Sequence, residues 1–324
     1  MSKIIAISIG DIQGIGIRIL INSYKKKIIK NFVLVTNIKI FQDFLVKNNI
    51  SIKLNIVDFE KNRLIINKDK FNIYDFKSKS LEENTYKSLN YAHKLCLKKF
   101  CIGVITLPLR KDLIKKKINK QFIGQTEHFQ KLSKKNYSNM ILYHSKIIVT
   151  PITTHIKIKS ISKLISNKIF LFNQIANLNN TLKKDFNIRK PKLIISGFNP
   201  HSGENGQLGT EERNSIIPVV KKLQRKGIAI DGPLSADTLL IKKNFKKYNC
   251  FIFIFHDQAL IPFKYISQFS GVNYTGNLDI IRTSPDHGTG YDMINKSNIS
   301  NESFINCIKL ITKIYKNRLI NDKS

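Results

Sequence analysis

Short apolar runs alternate with longer amphipathic segments along most of the chain. The runs read as strands at residues 3–9, 32–36, 51–57, 102–106, 140–143, 147–150, 193–196 and 250–255. Helical spacing of apolar residues follows the first run to about Ile29, begins again after Ser80, and continues at 159–186 and 301–319. Runs without polar alternation are typical of strands buried on both faces, and strands separated by helices form parallel sheets. The pattern predicts an α/β fold.

The richest polar stretch directly follows the apolar run at 250–255. Fewer than forty residues there contain two histidines, two cations and several amides, hydroxyls and carboxylates: His256, Asp257, Gln258, Lys264, Asn273, Arg282, Thr283, Asp286, His287 and Thr289. Open α/β sheets bind their ligands at the carboxyl ends of strands. A polar turn would explain one such histidine, but this density of different groups favours a ligand site.

Composition changes this picture little. The chain has 324 residues, 42% of them hydrophobic, and a formal net charge of +33. Such a charge normally suggests nucleic acid or an anionic membrane as a partner. The lysines are dispersed among Ile and Asn throughout the chain, so we interpret them as solvated surface and consider nucleic acid an unlikely partner. The charge should still attract phosphorylated ligands.

The other compositional features predict a cytoplasmic protein. The four cysteines form no CxxC pair and lie in apolar surroundings, as expected of small buried residues in a reducing compartment. The amino-terminal segment resembles a first strand rather than a signal peptide, and no apolar run approaches the roughly 20 residues that span a bilayer. We therefore expect no membrane partner.

Three histidines share one context, because each closely follows an apolar run. They are His155, His201 and His256. If the preceding strands are parallel neighbours, the three imidazoles could meet at one edge of the sheet and hold a divalent metal. Their spacing contains no local metal motif, and each could instead be an ordinary polar residue.

Longer blocks carry a resemblance to a known family. They are residues 199–204 (NPHSGE), 232–238 (GPLSADT), 256–258 (HDQ) with Lys264, 271–273 (GVN), 282–284 (RTS) and 286–289 (DHGT). In this order they resemble the signature of the 4-hydroxythreonine-4-phosphate dehydrogenases of pyridoxal phosphate biosynthesis over nearly the full length of the chain. The resemblance implies two α/β/α lobes with a cleft between them, as in isocitrate and isopropylmalate dehydrogenases. We expect residues 1–125 with 283–324 in the first lobe and 126–282 in the second.

The resemblance also implies the site. It predicts NAD as cofactor, one divalent metal ion (zinc, cobalt or magnesium) and a homodimer with the site at its interface. The implied metal ligands are His155, His201 and His256. The implied substrate-binding residues are Gln125, Thr126, Lys264, Asn273 and Arg282, with Asp257 and Lys264 as catalytic residues. The implied cofactor-binding residues are Asp237, Thr238, His287, Gly288, Thr289 and Asp292.

The implied reaction suits these residues. Lys264 and Arg282 would bind the phosphate and carboxylate of 4-phosphohydroxy-L-threonine, Arg282 through its bidentate fork. The metal would lower the pKa of the hydroxyl group that loses hydride to the nicotinamide. The resulting 2-amino-3-oxo-4-phosphooxybutanoate, a β-keto acid, would decarboxylate to 3-amino-2-oxopropyl phosphate.

Departures from the family pattern leave alternatives open. Gln125 replaces a substrate-contacting histidine and cannot carry charge, so activity could be weaker or its pH dependence altered. Arg18 replaces an acidic residue, and Leu107 a glycine. A second hypothesis is therefore a dehydrogenase of threonate or erythronate 4-phosphate. A third, a non-catalytic nucleic-acid-binding protein, is disfavoured because the histidines, Lys264, Asn273 and Arg282 are all retained.

Overall fold

The computed structural model describes residues 3–60, 63–294, 296 and 299–322, with only the backbone of 59, 60 and 63. The predicted lobe ends at 1–2 and 323–324 lie outside the described residues. The chain divides into two compact units. Unit 1 comprises Met1–Lys134 and Leu278–Lys316, and unit 2 comprises Lys135–Asn277 and Asn317–Ser324. Strands and helices alternate in both units, which confirms the predicted α/β class.

The strands, in chain order, are β1 (Ile5–Ser8), β2 (Phe32–Val35), β3 (Leu54–Ile56), β4 (Asp58–Glu60), β5 (Arg63–Ile65), β6 (Phe71–Tyr74), β7 (Gly103–Thr106), β8 (Asn139–His144), β9 (Ile147–Thr153), β10 (Lys192–Ser196), β11 (Ala229–Leu234), β12 (Cys250–Phe255), β13 (Val272–Gly276) and β14 (Arg282–Pro285). The helices are α1 (Ile15–Lys25), α2 (Ile38–Lys47), α3 (Leu81–Leu97), α4 (Lys111–Lys117), α5 (Gln125–Leu132), α6 (Ile161–Ile165), α7 (Lys168–Lys184), α8 (Ile217–Arg225), α9 (Lys242–Lys247), α10 (His256–Ser267) and α11 (Glu302–Asn321). None of the described helices is long and apolar enough to cross a membrane.

Unit 1 is built on a parallel sheet with the strand order β14-β7-β1-β2-β6-β3. Its central strands are buried along their whole length, which explains why their sequences are continuous apolar runs. Side chains such as Leu89 and Ala92 of α3 pack into the same core as Val33 and Val104. The helix α3 begins where Ser80 accepts a hydrogen bond from Glu83 N at 3.1 Å, as its sequence predicts.

Unit 2 has the strand order β11-β10-β12-β9-β8-β13. The strands β11, β10, β12 and β9 are parallel, and β8 pairs antiparallel with both β9 and β13. The predicted buried strand at 250–255 is β12, between β10 and β9. Phe251 and Phe253 of this strand pack with Phe263 of α10, and each such fully buried side chain contributes roughly 1.5–3 kcal/mol.

Two local predictions are wrong. The segment 159–186 is not one helix, because the Asn167 side chain accepts a hydrogen bond from Phe170 N at 3.0 Å and begins α7 after α6 has ended. The polar turn at 124–128 also predicts that Gln125 or Thr126 caps the helix that follows, but neither caps α5; the cap position is Gly124, and both side chains have other hydrogen-bond partners.

The end of α11 also differs from the predicted lobes. The prediction placed the lobe boundaries at 125/126 and 282/283 and assigned all of 283–324 to the first lobe. The structure assigns Asn317 onward to unit 2. Asn317 Nδ2 donates to Asp185 O at 2.7 Å, and Arg318 Nε donates to Asp185 Oδ1 at 2.6 Å. Tyr274 also donates to the Asp185 carboxylate. This buried network holds the last turn of α11 in unit 2.

Candidate active site

The strands that precede the three histidines are parallel neighbours, with β12 between β10 and β9. His155 lies two residues past β9, and His256 directly follows β12 as the first residue of α10. Their ring centroids are 5.8 Å apart. Topology therefore joins two imidazoles that are far apart in the sequence, as the strand pattern predicts.

Side-chain hydrogen bonds hold these strand ends in place. Thr153 Oγ1 donates to Ile254 O at 2.9 Å, which ties β9 to β12. The Gln258 carboxamide accepts from Ile254 N at 3.1 Å and donates to Gly197 O at 3.3 Å, which ties β12 to the loop after β10. The sequence marks Gln258 as part of a motif but does not reveal this role, because Gly197 is 61 residues away in the chain.

Asp257 lies beside His256, with the Nδ1 of the imidazole 2.8 Å from Oδ1 of the carboxylate. A carboxylate on one ring nitrogen fixes the tautomer and leaves the other nitrogen to bind a ligand. This geometry suits Asp257 to orient the His256 imidazole.

His201 lies in a loop of unusual conformation. His201, Ser202, Gly203, Glu204 and Asn205 all have positive φ angles. Non-glycine residues rarely adopt this conformation, and such strain is concentrated at functional sites. The loop borders an open pocket of about 400 Å³, whose other lining residues include Phe198, Asp237 and Gln258.

Glu212 holds this loop in its conformation. The Oε1 of this buried carboxylate accepts from Phe198 N and Asn199 N, each at 2.8 Å, and Oε2 accepts from Asn199 Nδ2 at 2.9 Å. A Cβ at Gly203 would lie 2.7 Å from Oε2, so glycine is needed there. In the sequence, Glu211 and Glu212 indicate only an acidic start of the next helix, and no local pattern reveals the contacts of Glu212 with the loop.

The predicted metal site is only partly assembled in one chain. His155 and His256 meet, but within the described ranges no group of three or more His, Cys, Asp or Glu side chains lies close enough to hold a metal ion. A single chain therefore offers two neighbouring imidazoles rather than a complete three-histidine site. The three-ligand assignment stays a prediction, which includes the implied contribution of a second subunit.

Two of the predicted substrate-binding residues, Lys264 and Asn273, lie in unit 2, as the histidines do. Lys264 lies on α10, with its Nζ 5.3 Å from the centre of the Phe269 ring. Asn273 lies on β13, and among the described residues its Oδ1 is buried without a hydrogen-bond partner. An unsatisfied buried acceptor costs roughly 1–3 kcal/mol. Asn273 is therefore suited to accept a hydrogen bond from a ligand.

Arg282 forms a buried cluster in unit 1 and is only 2% exposed. Its Nε and one terminal nitrogen donate to Thr106 Oγ1 at 3.0 and 2.8 Å, and the other terminal nitrogen donates to Thr126 Oγ1 at 3.1 Å. Burial lowers the pKa of Arg282 to about 10, against an opposing effect of the Glu127 charge. The guanidinium thus stays charged at neutral pH.

Gln125 belongs to the same cluster. Its Oε1 accepts from Arg282 at 2.6 Å and from Thr106 Oγ1 at 2.8 Å, and its Nε2 donates to Leu107 O at 2.8 Å. Both acceptor positions of the carboxamide are therefore used within the protein, and one Nε2 hydrogen is left for a substrate. A neutral residue here places no second positive charge beside Arg282.

The predicted cofactor residues fall into two groups. Asp237 and Thr238 lie in unit 2 beside His201; a hydrogen bond from Ser235 and then the His201 charge lower the pKa of Asp237. The other group, His287, Gly288, Thr289 and Asp292, lies in the loop after β14 in unit 1.

The loop after β14 packs on the turn after β1. Thr289 O accepts from Ile15 N at 2.9 Å, and Tyr291 donates to the Asp11 carboxylate. Gly288 lies outside the left-handed region, and among the described residues no atom lies within 4 Å of a Cβ built on it. Neither backbone nor packing requires this glycine, which suits the close approach of a ligand such as a dinucleotide.

Comparison with known proteins decides the family. The model of the family described as pyridoxal phosphate biosynthetic protein PdxA matches residues 25–311. The chain belongs to this family. The resemblance found in the sequence blocks is thereby confirmed, whereas the individual residue roles are not tested by it.

Relatives with similar sequences include enzymes named 4-hydroxythreonine-4-phosphate dehydrogenase. The chain is 34% identical to the 4-hydroxythreonine-4-phosphate dehydrogenase of Sulfurihydrogenibium sp. (strain YO3AOP1), over 94% of this chain and 96% of that protein. It is 37% identical to the enzyme of that name from Aquifex aeolicus (strain VF5), over 64% of each chain. The crystal structure of the Klebsiella pneumoniae 4-hydroxythreonine-4-phosphate dehydrogenase aligns with a TM-score of 0.81 and 27% identity, over 97% of this chain and all of that one.

Proposed function

We propose that this PdxA-family chain is an NAD-dependent and divalent-metal-dependent 4-hydroxythreonine-4-phosphate dehydrogenase. One observation carries the proposal: His155 and His256 meet at the carboxyl ends of adjacent parallel strands, in a chain that matches an enzyme of this name along nearly its whole length. The product would be 2-amino-3-oxo-4-phosphooxybutanoate, which decarboxylates to 3-amino-2-oxopropyl phosphate.

The residues of the chain have distinct roles in this proposal. Lys264 and Arg282 provide positive charge for the substrate phosphate and carboxylate, and Asn273 Oδ1 accepts a hydrogen bond from the substrate. Asp257 orients the His256 imidazole. The loop 287–292, with Asp237 and Thr238, binds NAD.

His155, His201 and His256 would hold the cation, which is zinc, cobalt or magnesium in the proposal. When bound, it supplies Lewis acidity toward the substrate hydroxyl oxygen. The two imidazoles that meet in one chain fit part of this site. We assign the remaining ligand position to His201, drawn from the same or a partner subunit.

We also propose that the protein forms a homodimer through the helix α10. Three large apolar side chains follow one another along α10 and its carboxyl end: Ile261 (70% exposed), Tyr265 (80%) and Phe269 (60%). An exposed apolar stripe on a helix favours a protein interface, and this helix begins at His256. A second copy that covers the stripe would approach the histidines. Tyr265→Asp should therefore produce monomers in sedimentation velocity and reduce turnover.

The decisive experiment is NADH formation by the purified protein with 4-phosphohydroxy-L-threonine, before and after a chelator. Activity that is lost on chelation and restored by a divalent cation is expected. Turnover that is insensitive to complete metal removal contradicts the metal assignment.

Threonate and erythronate 4-phosphates, assayed in parallel, test the choice of substrate, because Gln125 replaces the histidine implied at the substrate site. A protein that binds DNA in a salt-dependent manner and forms no NADH with any of them contradicts the enzyme assignment.

A further inference from the structure

Unit 1 contains an open pocket of about 390 Å³ that none of the proposed active-site residues lines. Its walls come from the turn after β1, the helices α1 and α2 and the first residue of α3. The volume falls in the range of roughly 300–1,000 Å³ that is usual for small-molecule sites.

Two contacts hold the Arg18 guanidinium in this pocket. One terminal nitrogen donates to Asn48 Oδ1 at 2.7 Å, and the guanidinium carbon lies 5.7 Å from the centre of the Phe44 ring. The Arg18 Nε is buried and has no hydrogen-bond partner among the described residues. The fold thus fixes the guanidinium in place without satisfying all its donors.

The charges of the pocket are unbalanced. Arg18 and Lys47 both line it, with Asp43 as the acidic residue. Neither cation forms an ion pair, within 4.0 Å, with any carboxylate in the part of the chain that the structure describes. A partly buried cation without a counter-charge is stabilised when an anion binds beside it.

The rest of the lining is mixed. Gln13 and Asn48 are polar, and Ile12, Ile40 and Leu81 are apolar. The Phe44 ring carries the Arg18 guanidinium on one face, so it holds the cation in place rather than offering that face to a ligand. The pocket therefore combines a fixed cation with apolar side chains against which a ring can pack.

We propose that this pocket binds a small aromatic or heteroaromatic anion, with its carboxylate or phosphate on Arg18 and its ring against the apolar lining residues Ile12, Ile40 and Leu81. The site is distinct from the proposed active site and does not depend on the proposed function. The resemblance implies an acidic residue at position 18, and an acid there would repel the same ligand. Anion binding would thus be a property of this chain rather than of the whole family.

Benzoate is the probe for this site, measured by isothermal titration and by saturation-transfer NMR on the full chain. Benzamide has the ring without the charge, and acetate has the charge without the ring. We expect benzoate to bind at least about tenfold more tightly than either, because benzamide lacks the charge-assisted hydrogen bond to Arg18 and acetate lacks the apolar ring. Arg18→Glu should reduce benzoate binding about tenfold or more, and Phe44→Leu should reduce it less.

Arg189→Glu is the matched control, because it makes the same change of charge at an exposed position in unit 2. It should bind benzoate as the wild type does. Unchanged melting temperatures would show that both variants fold, and NADH formation should be unchanged in Arg18→Glu. Absence of benzoate binding in the wild type, equal binding by Arg18→Glu, or equal loss in both arginine variants would each overturn the proposal.

Discussion

The cluster around Arg282 and the three histidines that follow strands of unit 2 are both predicted from the sequence, yet their side chains differ in burial. In unit 1, Arg282 is buried and its guanidinium hydrogen-bonds to Thr106, Gln125 and Thr126. In unit 2, His155 and His201 are exposed, and His256 is only partly covered. The Arg282 guanidinium is fixed within its own unit, whereas the histidines that are predicted to bind the metal are more exposed.

This difference separates two kinds of functional residue. A buried residue that is satisfied by its neighbours supports the fold as well as the function, so its loss should affect both. An exposed residue that is held only by its strand end should affect function alone. The four predictions that follow test this distinction, from the largest expected effect to the smallest.

Replacement of a histidine should separate activity from stability most clearly. We expect His201→Ala and His256→Ala to reduce NADH formation on the order of a thousandfold or more, since Lewis-acid stabilisation is worth several kcal/mol. The free energy of unfolding should change by less than about 0.5 kcal/mol for the exposed His201. Steady-state kinetics and urea unfolding measure the two effects. A near-normal rate for either variant would remove that histidine from the site.

Replacement of Arg282 should affect both properties. Arg282→Met leaves the hydroxyls and the Gln125 carboxamide of the cluster without their donor, which should lower the free energy of unfolding by about 2–4 kcal/mol. Substrate affinity should also fall. Arg189→Met, at an exposed position, is the control and should change stability by less than about 0.5 kcal/mol. If the two variants unfold at the same urea concentration, the cluster does not support the fold.

The interior of unit 1 should also make stability depend on pH. Burial, and then the charges of His93 and Lys131, lower the pKa of His128 to about 4. The unfolded state binds a proton near pH 6.5 while the folded state does not, so stability is complete above pH 6.5 and falls as the pH decreases toward 4. The loss attributable to His128 should be about 2 kcal/mol at pH 5.

His128→Phe tests this cause, because the ring would remain among Tyr86, Phe122 and Phe129. The variant loses the hydrogen bond with Asn90 and should be less stable at pH 7, but its stability should decline less between pH 7 and pH 5. Urea unfolding at both pH values gives the comparison. Parallel declines in the two proteins would assign the pH dependence to other groups.

The smallest effect is expected at Gln125. Gln125→His places a titratable ring beside Arg282, and protonation of that ring would repel the guanidinium and weaken its position. The ratio of KM in the variant to KM in the wild type should therefore rise about threefold to tenfold as the pH falls through the pKa of the imidazole. A ratio that is independent of pH would show that residue 125 does not influence Arg282 electrostatically.

Local patterns predicted the elements better than their contacts. The buried strand at 250–255 was recognisable because a strand covered on both faces needs apolar residues at every position. The break between α6 and α7 was missed because the apolar periodicity continues through Asn167, which begins a new helix with its side chain. The contacts of Gln258 and Glu212 with the loop after β10 could not be predicted, since that loop is not part of their local sequence patterns.

The sequence by itself determined the α/β class, the family and the candidate site residues, because these depend on local periodicity and on motifs that are contiguous in the chain. Only the tertiary structure decided which groups meet. The order of parallel strands brings His155 to His256, and packing buries Arg282 against Gln125. These outcomes depend on strand pairing and burial between distant segments, which short stretches of sequence do not encode.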